Sequence, residues 1–217
     1  MKIERLKIDI SASIGEVSAE ILEPTAMEVL LVLAHGAGAG MDHRFMKALA
    51  KALAEAKIGT LRFNFAYMEK GKRRPDPPAI AEKTVQQAIL KAKELFPNTP
   101  FIAGGKSFGG RMTSNFVSKT AIAGLKGLVF FGFPLHPAGK PATERAMHLQ
   151  HVNIPMLFLQ GTRDALAEPD LIKQTTNALR SAQLVLFEGA DHSFAVGKKD
   201  IIPELVAATG TWLETIM

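Results

Sequence analysis

The sequence predicts an α/β protein built on a mostly parallel, doubly wound sheet with antiparallel strands at its N-terminal end. Three observations lead there. EVLLVLA at 28–34, GLVFFGF at 127–133 and PMLFLQG at 155–161 are almost continuously apolar, as strands covered on both faces are. Amphipathic stretches of helical period lie between such runs, so strand and helix alternate. Ahead of them, Leu6, Ile8 and Ile10, then Val17, Ala19 and Ile21, alternate with period two on either side of Gly15, as a half-buried antiparallel pair does.

After this pair, the strand at 28–34 runs into the glycine-rich loop HGAGAGMD. Asp42 is placed to cap a helix that carries Phe45, Met46, Leu49 and Leu53 on one side, with Gly59 just beyond its end. Strand TLRFNF occupies 60–65, and a polar loop through Pro75 and Pro77 leads to a helix over 79–96, lined by Val85, Ile89, Ala92 and Phe96 and stopped by Pro97. PFIAGG is the next strand, and SFGGRMTSNFVSKT the next helix, with Met112, Phe116 and Val117 inward. The strands at 127–133 and 155–161 flank a loop rich in proline and histidine. A helix around 168–180, strand LVLFEG at 184–189 and a helix over about 200–215 complete the chain. No linker, repeat or low-complexity tract interrupts the order, which predicts one domain over 1–217.

Composition narrows the function classes. Of the 217 residues 47% are hydrophobic and 22% charged, which is globular rather than disordered. The absence of cysteine excludes disulfides, cysteine-ligated zinc and a cysteine nucleophile, and agrees with a reducing compartment. MKIERLKIDI lacks the apolar core of a signal peptide, and no apolar run approaches the roughly 20 residues that span a bilayer, so the expectation is a soluble cytoplasmic protein without a membrane partner. The net charge of +5 is dispersed except in EKGKRRP at 69–75, with no interleaved aromatics, so no nucleic-acid partner is expected.

Two glycine-rich loops invite phosphate chemistry, and both fail on geometry. Gly105-Lys106-Ser107 ends like a nucleotide-phosphate loop, but the position five residues before Gly105 is Pro100, which cannot wrap amides around an anion. Gly36-Ala37-Gly38 begins a dinucleotide fingerprint whose third glycine is Met41, and the next strand ends in Asn64-Phe65 where an acid should hold the ribose. No nucleotide cofactor or metal is expected. His148 and His151, three residues apart, have no third ligand at a defined spacing.

Read as G-x-S-x-G, the same stretch has a physical meaning. Small residues at Gly105 and Gly109 make room for Ser107 on a strained strand-to-helix turn, and the helix N-terminus aims amides at developing negative charge. A serine nucleophile needs a histidine to take its proton and an acid to orient that histidine. Asp164 follows the strand at 155–161, with Glu168 and Asp170 as substitutes, and His192 follows the strand at 184–189; both emerge at strand carboxyl ends beside Ser107, in the order serine, acid, histidine. Asp191 is excluded because adjacent side chains diverge. For the oxyanion hole the pattern designates the amide of Phe108 and one from the HGAGAG loop, Ala37 first and Gly38 second.

With these residues in place, the chain resembles the α/β-hydrolase superfamily over essentially its whole length. AHGAGAGMDHRFM, RRPDPP, GGKSFGGRM, FGFPLHPAGKP, HLQ, LFLQGTRD and GADHSF resemble the small, lidless, dienelactone-hydrolase-like branch related to the hydrolase-like domain of an NSL complex regulatory subunit. The resemblance implies an α/β-hydrolase fold without a cap domain and a serine hydrolase acting on a small ester or thioester through Ser107, Asp164 and His192. A hydrolase-like interaction module and a small peptidase are the other activities it implies.

Caps in this superfamily follow the strand that here ends near Phe133, and only about 21 residues separate it from the next, too few for a helical lid. An open site for a small acyl group is therefore expected. His136 could line its mouth, Arg73 and Arg74 could attract an anionic substrate, and Lys106 and Arg111 flank the elbow as further candidates for substrate contact. No exposed apolar strip stands apart to indicate an oligomeric state.

Overall fold

The computed structural model of the protein describes residues 1–217. Its eight strands form one sheet: β1 (Lys2–Ser11), β2 (Gly15–Glu23), β3 (Val29–Ala34), β4 (Ile58–Phe63), β5 (Phe101–Lys106), β6 (Leu125–Phe131), β7 (Met156–Gly161) and β8 (Ala182–Phe187). Their spatial order is β1-β2-β4-β3-β5-β6-β7-β8. β2 runs antiparallel to both β1 and β4, and every other pairing is parallel. The apolar runs are the central strands as expected: β3 and β7 are buried at every residue.

Pleating sends alternate residues to opposite faces, so each strand feeds two cores. Leu30, Val32 and Ala103 pack with α3 (Pro78–Leu95) and α4 (Phe108–Val117), while Leu31, Leu33 and Ile102 pack with α1 (Arg44–Glu55) and α6 (Ile202–Ile216). The short α2 (Ala66–Glu69) and α5 (Pro169–Asn177) complete the helices, and a 3₁₀ helix, Glu144–His151, fills the space between β6 and β7 in which a cap would be inserted.

The structure changes several local expectations. Asp42 does not cap α1, because its carboxylate is drawn to Arg5 (3.1 Å) and Lys47 (3.3 Å); the His43 ring accepts the Phe45 amide instead, at 3.3 Å. Gly59 does not end α1 but lies inside β4, where a Cβ would collide with the Met27 sulfur, and the left-handed residue after the helix is Lys57, at φ 62°. β4 stops at Phe63, two residues before the expected end, because the Phe65 amide turns away to bond the His35 ring. α2 is too short to leave a periodic trace in the sequence, and the 3₁₀ helix repeats every three residues and not every 3.6.

From β3 the chain crosses to β4 on one side, and β5 lies on the other. Such a reversal opens a crevice at the carboxyl ends of the two strands, the ligand site of open α/β sheets. The loop after β3 and the turn after β5 meet there.

Candidate active site

Ser107 stands between β5 and α4 with φ 50° and ψ −116°. This region is costly for any residue with a Cβ, by about 1–3 kcal/mol. The surroundings enforce it. The Ser107 amide extends the ladder to Phe131 O at 3.2 Å, while its carbonyl is already committed to α4 through the Arg111 amide at 3.1 Å. Both flanking glycines face β3: a Cβ on Gly105 would overlap Ala34 O, and one on Gly109 would lie 2.5 Å from His35 O. The small residues of the motif therefore let the elbow approach the neighbouring strand.

The Ser107 hydroxyl lies 2.8 Å from His192 Nε2, and His192 Nδ1 donates to Asp164 Oδ2 at 2.7 Å. Asp164 is buried, at 3% exposure, and both its oxygens are engaged: Oδ2 also receives Gln160 Nε2 at 2.5 Å, and Oδ1 the Leu166 amide at 2.8 Å. Gln160 is in turn held by the Phe133 amide at 2.9 Å. Sequence reasoning passed over Gln160, although one polar residue inside the apolar run PMLFLQG was a signal. Asp191 points elsewhere and accepts the amides of Ser193 (2.8 Å) and Ala195 (2.9 Å), shaping the histidine loop. The substitutes Glu168 and Asp170 are exposed at the start of α5, away from the histidine.

Opposite the serine lies the Gly36–Ala39 loop. Neither the Phe108 nor the Ala37 amide donates to another group in the chain, whereas the Gly38 amide faces the Tyr67 hydroxyl oxygen. What orients this loop is His35, which in the sequence is no more than the first residue of a glycine-rich stretch. Its Nε2 accepts the Phe65 amide at 3.0 Å and its Nδ1 donates to Gly36 O at 2.8 Å, so the ring is a neutral tautomer that holds the carbonyl. The Tyr67 hydroxyl adds a longer bond to the same carbonyl at 3.4 Å. Further along, Asn64 Oδ1 accepts the Met41 amide (2.9 Å), and Arg62 donates to Met41 O (2.7 Å).

Full burial pushes the His35 pKa down to about 4 from 6.5. The unfolded chain then binds the extra proton first, so stability is intact above pH 6.5 and is lost progressively as pH falls toward 4, by up to about 3 kcal/mol. Urea titrations at pH 7 and pH 4.5 should show this loss, and His35→Asn should reduce it to the part contributed by His148, which burial also pushes down to about 4.

Ser107, His192 and the Gly36–Ala39 loop line a cavity of about 280 Å³ together with His43, Phe45 and Met46. Lys106 also lines it, but its ammonium turns under the histidine loop, 2.5 Å from His192 O and 5.4 Å from the centre of the Phe194 ring. Desolvation lowers its pKa to about 8.

The other residues expected at the mouth are not gathered there. His136 is buried, with Nδ1 against Pro137 O (2.9 Å) and Nε2 accepting the Glu168 amide (3.0 Å), so its polar atoms are spent on the loop. Arg73 and Arg74 are exposed between α2 and α3, and Arg74 borders a separate surface depression with Lys72 and Asp76. Arg111 lies one turn into α4 outside the cavity lining, and burial and the nearby Arg145 both depress its pKa. His148 bonds Ser114 Oγ at 2.7 Å.

A parallel sheet with its switch point at a strained G-x-S-x-G elbow, and no cap inserted, defines the α/β-hydrolase class of fold. The model of a family described as "Alpha/beta hydrolase domain" matches residues 27–204, and the chain belongs to that family. Solved structures agree in fold. An alpha-beta serine hydrolase homologue from Coxiella burnetii superposes with a TM-score of 0.78 at 23% identity over 98% of both chains. A dienelactone hydrolase from Anabaena variabilis gives 0.79 at 15% identity over 100% of both. A lidless a/b serine hydrolase from Xanthomonas campestris gives 0.76 at 18% identity, over 99% of this chain and 95% of that one. No helix is long and apolar enough to cross a membrane.

Proposed function

We propose that the protein is a serine hydrolase that cleaves a small ester or thioester through an acyl-enzyme on Ser107. The observation that carries this reading is the continuous chain from Ser107 Oγ through His192 to the buried Asp164, at 2.8 and 2.7 Å. His192 Nε2 takes the hydroxyl proton as Oγ attacks the acyl carbon, and Asp164 stabilises the imidazolium that forms. The oxyanion is received by the free amides of Phe108, at the start of α4, and Ala37. His192 then protonates the leaving alcohol or thiol, and a water activated by the same ring releases the acid.

Two features support a small acyl group. The cavity of about 280 Å³ lies at the lower end of ligand pockets, and the segment between β6 and β7 forms no lid. The dienelactone hydrolase and serine hydrolase relatives agree with the same chemistry.

Labelling with a fluorophosphonate tests the reading. The parent should label and Ser107→Ala should not. Ser107→Gly should also stay unlabelled while gaining about 1 kcal/mol of stability, because glycine relieves the strain at φ 50°. A folded parent that stays unlabelled removes the enzyme and leaves an interaction module, and equal labelling of Ser107→Ala moves the nucleophile elsewhere. Preferential cleavage of short peptides over aryl esters would make it a peptidase.

A further inference from the structure

We propose that Lys106, the residue before the nucleophile, is a positioning residue whose ammonium holds the backbone of His192, so that it acts on catalysis through the histidine and not on the substrate. The inference rests on the serine-hydrolase reading of Ser107 and His192.

Pleating puts the Lys106 side chain on the same sheet face as Ile102, toward α1 and α6. Its stem passes Gly36, and its ammonium ends just beyond the end of β6, where Gly132, at φ 73°, leaves room. A Cβ on Gly132 would lie 3.0 Å from Lys106 Nζ and 3.6 Å from the His192 ring. There the ammonium donates to His192 O at 2.5 Å and faces the Phe194 ring at 5.4 Å.

The rest of the loop shows why this bond matters. Asp191 holds the amides of Ser193 and Ala195, and Phe194 is anchored by its ring against Phe45 and Phe187. Phe194 also carries a positive φ of 63°, so the loop is bent tightly just past the histidine. The backbone of His192 itself has one tether only: its amide donates to nothing in the chain, and its carbonyl receives only Lys106. The imidazole bonds at both nitrogens, but a ring on an untethered backbone can shift by the ångström that general-base catalysis does not tolerate.

A purely structural role explains Lys106 poorly. Asp164 and Asp191 favour its charge from a distance, yet neither is within ion-pair reach, His192 and His43 share the cavity as possible cations, and desolvation outweighs the carboxylates. A half-buried cation without a counter-ion costs stability that an apolar residue there would restore. The folded pKa, about 8, is below the ordinary 10.5, so stability rises as pH increases between those values, while the charge-assisted bond to His192 weakens.

The chain has no cysteine, which allows a direct test. Lys106→Cys introduces the sole thiol. Alkylation with 2-bromoethylamine rebuilds an ammonium at the length of lysine, and iodoacetamide builds a neutral amide of the same length. Lys106→Met should lower kcat on a small aryl ester about 10- to 100-fold and slow fluorophosphonate labelling in parallel, with KM within about 3-fold of the parent. Its Tm should equal or exceed the parent's. The alkaline fall of kcat near pH 8 should vanish in Lys106→Met, and aminoethylated Lys106→Cys should regain both rate and alkaline limb where the amide does not. Unchanged kcat, a loss confined to KM, equal recovery with the neutral amide, or a lowered Tm in Lys106→Met would each overturn the proposal. If Lys106→Cys fails to fold, Lys106→Met and its pH profile decide alone. A parent that fluorophosphonate does not label sinks the hydrolase reading itself, and the proposal with it.

Discussion

Asp164→Asn should leave a folded protein whose kcat on a small ester falls by on the order of 10⁴-fold. The reason lies in the acceptor geometry of Asp164. Oδ2 receives two donors, His192 Nδ1 and Gln160 Nε2, and Oδ1 receives a third, the Leu166 amide. An asparagine has one acceptor oxygen and one NH₂ group. If the oxygen stays with Leu166, the NH₂ group faces two other donors, and His192 escapes the conflict by moving its proton to Nε2. That tautomer presents a hydrogen to Ser107 where a lone pair is needed. If the amide flips, the Leu166 amide is left without an acceptor and the turn after β7 loosens. Measuring kcat separates the two, because only the first case puts the histidine in the wrong tautomer, while Tm falls in both, the first also leaving Gln160 Nε2 without an acceptor. A loss smaller than about 10-fold would mean that Asp164 does not orient the histidine.

Arg62→Leu should lower stability by about 3–5 kcal/mol and Tm by roughly 10 °C. Arg62 is 2% exposed and Glu20 6% exposed, and they form an ion pair between the adjacent strands β4 and β2. Burial pulls the Arg62 pKa down while Glu20 and Asp42 hold it up. Removing the guanidinium leaves Glu20 partnered only by the exposed Arg5 (3.0 Å), a far weaker compensation. It also frees Met41 O, which Arg62 holds at 2.7 Å at the end of the Gly36–Ala39 loop, so fluorophosphonate labelling should slow as well. Urea unfolding of Arg62→Leu and of the double variant with Glu20→Leu checks the cause. The double variant should recover most of the loss, because neither charge is then left alone; equal instability in both would place the effect in packing.

These two predictions use residues that the sequence displays very differently. Asp164 was legible as a candidate because a loop after a buried strand, in the order serine, acid, histidine, is where the proposed chemistry needs a carboxylate. Arg62 is only a charged residue inside TLRFNF. Its importance comes from Glu20, which is 42 positions away in the chain and arrives only when β2 pairs with β4. His35 and Gln160 are of the same kind: each is a polar residue at a strand end whose partners, Phe65 and Phe133, lie across the sheet. His136, Arg73 and Arg74 fail in the opposite direction. Their charge and loop position suited a binding role, and folding either consumed their polar atoms or left them on another surface.

By itself, the sequence determined the strands, their alternation with helices and the elbow at Ser107. Burial on both faces writes a continuous apolar run, and a strained turn against a neighbouring strand admits only glycine at Gly105 and Gly109. Both are demands on neighbouring residues, so a local pattern records them. Only the tertiary structure decided what Lys106 does. Its place in the motif was plain, but the face chosen by the pleat, the room left by Gly132 and the untethered carbonyl of His192 come from segments 26 to 86 residues further along, which the fold brings around one ammonium.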